Sequence, residues 1–330
     1  MTNAANPLLA DARVSFVLPH KGRSEMLLET IASIQAQQTQ AYPAALTFEI
    51  LVVSQSPDVK EALEPLAENI RLFLRPAAET ISALRNYGVS QAQGNFIAYL
   101  DADVALSSNW LCAMLAELQQ GSCVIASAVQ TCADDAPVLE KIRTWLSNAE
   151  TDCDVEFLPG RNLLMRKQDV ALLGGFPEHL VTCEDYYFTQ RAAQLGSLRY
   201  SSKATYVHIG EDKALLPMFK KEIWRGQSNL QSIKGRHIPL REWPSFFVPV
   251  VMMALFLMAL VNLSLGNFTI ALTALLFAIT PLAAYSLRLY KITQYSIPLK
   301  EILYFYGLYF PARAIGTLSG LVKTLSISMK

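Results

Sequence analysis

A long stretch without charged residues limits what the C-terminal part of this chain can fold into. Residues 243–287 contain no Asp, Glu, Lys or Arg. Within them, residues 246–265 and 268–287 are each long enough to cross a hydrocarbon core of about 30 Å as a helix, and Gly266 and Asn267 form the turn between them. Helices of this composition have no polar face for water. The sequence therefore predicts a transmembrane helical hairpin rather than core helices of a soluble protein.

The charges around this hairpin predict its orientation. Basic residues flank both outer ends: Arg236, Arg241, Arg288, Lys291 and Lys300. By the positive-inside rule both ends lie in the cytoplasm, and the N-terminus has no signal-peptide pattern. We therefore expect a cytoplasmic catalytic domain (residues 1–235) and a multi-pass region in the cell inner membrane (residues 236–330). Residues 302–322, interrupted by Pro311 and Arg313, fit a third span, a re-entrant piece or an interfacial helix.

The composition of the whole chain excludes two broad classes of function. The 330 residues are 52% hydrophobic and 17% charged, with a formal net charge of +0. A general nucleic-acid-binding protein needs a positive field to displace counterions from phosphates, so no nucleic acid partner is expected. The five cysteines include no Cys-x-x-Cys pair, so neither a disulfide framework nor a zinc cluster is indicated.

The N-terminal part alternates between strand-like and helix-like segments. This alternation is typical of an α/β fold with a doubly wound, mostly parallel sheet. The predicted strands are residues 14–19, 48–53, 70–74 and 95–100, and the predicted helices are the segment from Ser24 and residues 59–69 and 81–91. Beyond Asp103 the pattern is looser. It predicts a helix at 109–119, a strand at 123–129, an irregular acidic stretch to Asp154 and a helix from Glu184.

Two aspartates, Asp101 and Asp103, follow the strand at residues 95–100. They are thereby carried to the carboxyl edge of the sheet, where open α/β sheets bind ligands. Carboxylate oxygens suit Mg²⁺ or Mn²⁺, and such a cation readily bridges the protein to a diphosphate. An isolated Asp-x-Asp also fits a solvated turn after a strand. Its interpretation therefore depends on the surrounding chain.

Several further segments occur in a fixed order around this motif. They are residues 14–19, Leu84-Arg85-Asn86-Tyr87-Gly88, residues 94–103, Gly160-Arg161-Asn162, Gly174-Gly175-Phe176, Glu184-Asp185 and Trp224-Arg225-Gly226. Together they resemble the family 2 glycosyltransferases with the GT-A fold, over about residues 14–233. Such enzymes are membrane-attached and transfer a sugar from a nucleotide-sugar with inversion.

The resemblance implies roles for the metal ligands and the base. Asp103 would ligate Mg²⁺ or Mn²⁺, with Asp101 nearer the ribose or sharing the cation and His208 completing the site. A lone histidine near a strand is also commonly structural. Asp185 would take the proton of the acceptor hydroxyl, with Glu184 orienting the acceptor or tuning the site. The same residues also fit a helix start capped by Thr182, with a carboxylate three residues later.

The resemblance also implies donor-binding residues: Pro19, Gln55, Arg85, Asn86 and Arg225. Two departures from the family pattern concern this group. Where such enzymes commonly carry an acidic pair after the second strand, this chain has Ser54 and Gln55, whose amide can hydrogen-bond a base edge. After the first strand, His20 and Lys21 replace the usual tyrosine and asparagine, so Lys21 or Arg23 would reach the diphosphate instead. Asn162 and the turn at Gly174 and Gly175 would shape the acceptor wall.

These features predict a membrane-anchored, metal-dependent inverting glycosyltransferase of polysaccharide or glycoconjugate synthesis. Its partners would be a nucleotide-sugar donor, the membrane and a lipid-linked saccharide acceptor. One alternative is a nucleotidyltransferase that makes a sugar nucleotide, although residues 19–23 hold only one glycine. The other is a non-catalytic membrane-tethered scaffold, against which the intact Asp101, Asp103 and Asp185 count. The sequence does not identify the donor sugar, the base or the linkage.

Overall fold

The computed structural model describes residues 12–38, 46–64, 69–227 and 240–328. They belong to two compact units. The first consists of Met1–Cys132 and Glu150–Gly210, and the second of Ala133–Ala149 and Glu211–Lys330. The expected boundary between a catalytic domain and a membrane region, at residues 235 and 236, lies outside the described residues and stays a prediction. By packing, the second unit begins earlier, because a helix at residues 138–147 and another at 215–226 group with the apolar C-terminal helices.

One mixed sheet forms the centre of the first unit. Its strands lie in the order β3-β2-β1-β4-β8-β6-β9-β5, with β7 beside β9. Their bounds are β1 Arg13–His20, β2 Thr47–Ser54, β3 Ile70–Leu74, β4 Phe96–Leu100, β5 Val104–Leu106, β6 Cys123–Thr131, β7 Cys153–Val155, β8 Asn162–Arg166 and β9 Ser197–His208. The strands β1 to β4 are mutually parallel, and β6 is parallel to β9. The predicted α/β fold with a mostly parallel sheet is confirmed, while the antiparallel position of β8 between β4 and β6 was not anticipated.

Both faces of this sheet are covered, as in a doubly wound fold. Alternate residues of β1 enter different apolar clusters: Phe16 packs with Trp110 on one face, and Val17 packs with Tyr99 on the other. Side chains of a strand point alternately to the two faces. A strand buried on both faces is therefore largely apolar, which is why residues 14–19 are apolar apart from Ser15.

Six helices accompany this sheet within the described residues of the first unit. They are α1 Ser24–Gln35, α2 Val59–Leu63, α3 Ile81–Gln91, α4 Trp110–Leu118, α6 Lys167–Leu173 and α7 Glu184–Ala192. In α1 the buried Leu27, Ile31 and Ile34 follow helical spacing, as predicted. The helix expected over residues 59–69 ends at Leu63 as α2, and residues 65–68 lie outside the described chain.

The second unit contains the helices α5 Val138–Ser147, α8 Leu215–Gly226, α9 Trp243–Ser264, α10 Phe268–Ile292 and α11 Leu299–Ser328. The expectation of an irregular acidic stretch up to Asp154 was wrong for α5. Its Leu139 and Ile142 are buried three residues apart, and Trp145 and Leu146 pack against the same cluster. This segment forms a short amphipathic helix, which the acidic residues around it made hard to recognise in the sequence.

Two helices of the second unit are long and apolar enough to cross a membrane, as far as the described residues go. The most apolar windows of α9 and α10 have mean hydropathies of 2.5 and 1.9, and 11% and 22% of their residues are buried. Their apolar side chains are mostly exposed, unlike those of a core helix in a soluble protein. The segment at 302–322 lies in α11, which continues through Pro311 and is not one of these two candidates. Arg236, used above for orientation, lies outside the described residues.

Candidate active site

Arg85 connects the two acidic motifs of the first unit. This residue of α3 is buried, with 1% of its surface exposed. Its Nη2 donates to Asp101 Oδ1 at 2.9 Å, and its Nη1 donates to Glu184 Oε1 at 2.9 Å. The guanidinium carbon lies 4.7 Å from the centre of the Phe176 ring. One buried cation thus joins the carboxyl end of β4 to the first residue of α7.

Gly160 completes this junction through its backbone. Its carbonyl accepts from Arg85 Nη2 at 3.3 Å, and its N–H donates to Asp185 Oδ2 at 3.2 Å. A Cβ atom at residue 160 would lie 2.9 Å from Arg85 Nη2 and 3.2 Å from the Cβ of Asp185. Only glycine therefore fits here without a shift of the site.

Asp185 is held rigidly at the start of α7. Besides Gly160, the N–H of Tyr186 donates to its Oδ1 at 2.8 Å. The cap position of α7 is taken by Cys183, with φ 64° and no side-chain cap hydrogen bond, so the alternative of a Thr182 cap is not what forms. Asp185 remains half-buried, so its carboxylate can still reach a ligand.

Burial and neighbouring charges shift the pKa values of Glu184 and Asp101. Burial raises the pKa of Glu184 to about 7; repulsion by Asp185 adds to the rise, and Arg85 opposes it. Burial also raises the pKa of Asp101, against the attraction of Arg85. Arg85 loses solvation on burial, yet its carboxylate neighbours raise its pKa, so it stays charged. Strongly perturbed groups that converge in this way are typical of functional sites.

Asp103 lies beside two cationic or metal-binding side chains. Arg23 Nη1 is 3.2 Å from its Oδ2, and His208 Nε2 is 3.5 Å from its Oδ1. The antiparallel pairing of β5 with β9 brings His208 here, because it places His208 opposite Val104. A Cβ at Gly210 would lie 2.1 Å from Asp103 Oδ2. The structure thus brings together Asp103 and His208, and it adds Arg23, which the sequence offered only as an alternative to Lys21.

The donor set at Asp103 suits a hard divalent cation. Asp101, whose pKa is influenced by both Asp103 and His208, lies close by. Magnesium and manganese favour carboxylate oxygen and commonly complete their shell with water and substrate phosphate. Among the residues that the structure describes, no group of three or more His, Cys, Asp or Glu side chains is placed to hold a metal ion. Asp103 and His208 would supply only part of a coordination shell, and a ligand and water would have to supply the rest.

Asn86 has a different environment from the one expected for a donor-binding residue. Its Nδ2 donates to Phe176 O and to Glu178 Oε1, both at 2.9 Å, and its Oδ1 accepts from the Phe176 N–H at 2.8 Å. Both amide hydrogens are thereby used. Asn86 thus secures the turn after Gly175, where a Cβ would lie 2.5 Å from Asn86 Oδ1.

The other predicted donor-binding residues, Pro19, Gln55 and Arg225, do not all belong to the same compact unit. Pro19 and Gln55 lie at the carboxyl ends of β1 and β2, at the same sheet edge as Asp101. Arg225 belongs to the second unit, where its Nη1 pairs with Glu222 and Asp212. A contact between Arg225 and a diphosphate stays a prediction.

Asn162 is fully buried in the first unit. Its Oδ1 accepts from Trp110 Nε1 at 3.0 Å and from the Ala128 N–H at 2.8 Å. These bonds tie α4 and β6 to β8. Sequence reasoning had placed Asn162 at the acceptor wall; its described contacts are internal. The sequence assigned no role in the site to Gly160 or Gly210. The signal that could have indicated one is their closeness in sequence to Arg161 and His208.

The chain is similar to known glycosyltransferases. Residues 15–169 match the family model described as "Glycosyl transferase family 2". Glycosyltransferase AglE of Haloferax volcanii is 22% identical over 238 residues, which cover 69% of this chain and 76% of that protein. An uncharacterized glycosyltransferase of Rickettsia bellii is 24% identical over 146 residues, 43% of this chain and 20% of that protein.

A solved structure shares the fold. The mannosyltransferase PcManGT from Pyrobaculum calidifontis, solved in complex with GDP-Man and Mn²⁺, superposes with a TM-score of 0.61. The match covers 93% of this chain and 87% of that one, at 17% sequence identity. At this identity the likeness shows the fold, while the residues of the site must be argued from the chain itself.

Proposed function

Because this chain belongs to glycosyltransferase family 2 and has the GT-A fold, we propose that it transfers a sugar, with inversion, from a nucleotide-diphosphate sugar to a hydroxyl group. The observation that carries this proposal is the position of Arg85. It bonds Asp101 on one side and Glu184 on the other, so the strand end that we propose for the metal and the helix start that carries Asp185 are fixed around one buried charge. Transfer of a glycosyl group needs both a stabilised leaving diphosphate and a base for the acceptor.

Asp185 is the base in this proposal. The N–H groups of Gly160 and Tyr186 orient its carboxylate. Each carboxylate oxygen has a further lone pair, which can accept a hydrogen bond from an acceptor hydroxyl. Glu184, with its pKa raised to about 7, is the neighbour that retains a proton more readily. Two adjacent carboxyl groups with different environments can divide the roles in this way. A direct displacement by the activated hydroxyl inverts the anomeric carbon.

The leaving diphosphate is stabilised at the opposite side of the site. Asp103 and His208, with Asp101, would hold Mg²⁺ or Mn²⁺, and such a cation supplies Lewis-acid stabilisation of the departing charge. Arg23, which lies 3.2 Å from Asp103, is the protein cation that we assign to the diphosphate. A guanidinium suits this role because it can bond two phosphate oxygens at once.

The acceptor in this proposal is a saccharide carried on a membrane lipid. The support is the pair of long apolar helices α9 and α10, whose side chains are mostly exposed. We place the enzyme in the cell inner membrane with its catalytic domain in the cytoplasm, where nucleotide-sugars are available. Efficient transfer to soluble sugars, with no use of lipid-linked ones, would exclude this acceptor class while leaving the transfer reaction intact.

The first test is turnover of a panel of nucleotide-sugars by the detergent-solubilised full chain, with a membrane lipid extract as acceptor. We expect one donor to be used, and Asp185→Asn and Asp103→Ala to lower its turnover by about 100- to 10,000-fold, the range for loss of a catalytic acid or base. Asp135→Asn, an exposed carboxylate, is the matched control. Donor binding without turnover would indicate a scaffold, and formation of a sugar nucleotide from a nucleoside triphosphate would indicate a nucleotidyltransferase.

A further inference from the structure

Three aromatic residues directly follow Asp185 on α7, and they have different surroundings. Phe188 is fully buried in the core of the first unit. Tyr186 and Tyr187 are partly exposed, and Tyr186 stacks on Phe157, with ring centres 4.6 Å apart and an angle of 22° between the ring planes. Successive side chains of a helix point about 100° apart, so the three rings face different directions. Packing of the core therefore explains Phe188, whereas the stacked pair reaches the surface.

The stacked pair joins the two segments that hold the Asp185 carboxylate. On one segment the N–H of Gly160 donates to Asp185 Oδ2 at 3.2 Å, and Phe157 lies three residues before this glycine. On the other segment the N–H of Tyr186 donates to Asp185 Oδ1 at 2.8 Å. Leu158, next to Phe157, is buried with 1% of its surface exposed and anchors the first segment. The two rings are therefore held beside the proposed base by the same backbone that orients it.

A partly exposed aromatic pair of this kind suits the ring of a sugar. The face of an aromatic ring is apolar and carries a partial negative charge. The C–H groups of a pyranose are apolar and weakly positive, and its hydroxyl groups point outward from the edge of the ring. A sugar that stacks on the pair therefore presents its hydroxyl groups sideways. The Asp185 carboxylate lies to the side of the pair, because its side chain diverges by about 100° from that of Tyr186.

From these contacts, and resting on the proposed function, we infer that Phe157 and Tyr186 bind the acceptor by stacking on the sugar ring that carries the reacting hydroxyl. The pair thereby selects a saccharide over an acceptor whose hydroxyl or phosphate is attached directly to a lipid chain, because such an acceptor has no ring to stack. Arg23 and Asp103, which we assign to the diphosphate and the metal, follow β1 and β4 instead. Phe157 and Tyr186 determine the affinity for the acceptor, and the proton transfer is left to Asp185.

The test is the rate of transfer as a function of acceptor concentration, with the full chain, the donor that the panel identifies and a membrane lipid extract as acceptor. The detergent must have no sugar headgroup, since such a headgroup would compete for the pair. In Phe157→Leu we expect the half-saturating amount of extract to rise about 5- to 30-fold, the range for loss of an aromatic contact and the area it buries. The maximal rate should change by less than about twofold, because the lost interaction contributes to binding rather than to the chemical step.

Control variants separate stacking from a structural role of the pair. Tyr187→Leu removes a partly exposed aromatic ring from the next position of α7 and should leave the half-saturating amount unchanged. Phe157→Tyr and Tyr186→Phe keep both rings and should behave like the native chain. A pair that only braced Asp185 would lower the maximal rate when it is broken and would leave the half-saturating amount unchanged.

The outcomes distinguish this inference from the proposed function. An unchanged half-saturating amount in both Phe157→Leu and Tyr186→Leu would overturn the inference and leave the proposed transfer standing. Transfer to a polyprenyl phosphate that carries no sugar, as efficient as transfer to the extract, would overturn the inference and the saccharide acceptor but not glycosyl transfer. If the native chain transfers no sugar from any donor of the panel to the extract, the inference and the proposed function both fail.

Discussion

At the scale of single residues, Arg85 explains how four carboxyl groups can converge in one site. Asp101 and Glu184 each accept from a different nitrogen of its guanidinium, and Glu184 lies 99 residues away along the chain. A planar fork can serve two carboxylates at fixed positions, whereas the single ammonium of lysine cannot. Desolvated charges are tolerated only when they are paired in this way. Arg85 is therefore a positioning residue, since it acts through the carboxylates it holds.

Glu184 should make the stability of the chain depend on pH in a specific direction. Its pKa is raised from 4.5 to about 7 in the folded protein, so folding favours the protonated form. The stabilisation of the folded protein by protonated Glu184 is fully present below pH 4.5 and is lost as the pH rises to about 7. Relative to Glu184→Gln, the free energy of unfolding of the native chain should fall by about 3 kcal/mol across this interval.

The measurement is denaturant unfolding of both proteins at several pH values between 4 and 8. The difference between native chain and Glu184→Gln isolates the titration of this carboxyl group from that of the others. Asp135→Asn, which alters an exposed carboxylate, should give a difference that barely changes with pH. If the difference in unfolding free energy between the native chain and Glu184→Gln is also independent of pH, Glu184 titrates normally in the folded protein.

The sequence led to these residues but not to their contacts. Asp101, Asp103, Glu184, Asp185 and Arg85 were all singled out from their order along the chain. The pairing of Arg85 with both acidic motifs depends on the approach of α3, β4 and α7, which no local pattern encodes. Cys183 instead of Thr182 occupies the helix cap, with a left-handed φ of 64° that the capping pattern of the sequence did not indicate.

At the scale of elements, α8 and α11 pack through glycines at unusually short range. A Cβ at Gly226 would lie 2.9 Å from the Cα of Gly316, and a Cβ at Gly316 would lie 2.4 Å from the carbonyl of Ile223. Gly316 and Gly320 are four residues apart and so share one face of α11. In the sequence, Gly226 belongs to the Trp224-Arg225-Gly226 segment on which the family resemblance partly rests. Its described role is to let two helix backbones approach.

Gly316→Ala should therefore destabilise the second unit, while Gly307→Ala should not. The added methyl group at residue 316 meets the Ile223 carbonyl, and overpacking of this kind costs about 1–3 kcal/mol. At Gly307, in the same helix, a Cβ would meet nothing within 4 Å, and alanine is the better helix former by about 1 kcal/mol. Thermal unfolding in detergent should show a lower midpoint for the first variant and an equal or higher one for the second. Equal midpoints for both variants would show that the short contact is not formed.

The second half of the sheet was the part of the fold least accessible to sequence reasoning. Segments β1 to β4 alternate with helices and were predicted nearly to the residue. By contrast, β8 enters between β4 and β6, and β9 pairs with β5, β6 and β7. These pairings join distant parts of the chain and leave no periodic signal. They matter for function because they deliver Gly160 and His208 to the site.

At the scale of the whole molecule, the chain combines a mostly parallel α/β fold with two helices long and apolar enough to cross a membrane. The charge-free residues 243–287 indicated the second property, and α9 and α10 have the required length and exposed apolar surface. The alternation of strands and helices indicated the first, and the GT-A fold confirms it. The two compact units are interleaved in sequence, since α5 leaves the first unit to pack in the second.

The most direct test of the central claim is the anomeric configuration of the transferred sugar, determined by NMR on the product formed from the donor that the panel identifies. Direct displacement by a hydroxyl that Asp185 has deprotonated predicts a configuration opposite to that of the donor. A product that keeps the configuration of the donor would contradict this mechanism and the role of Asp185 as the base.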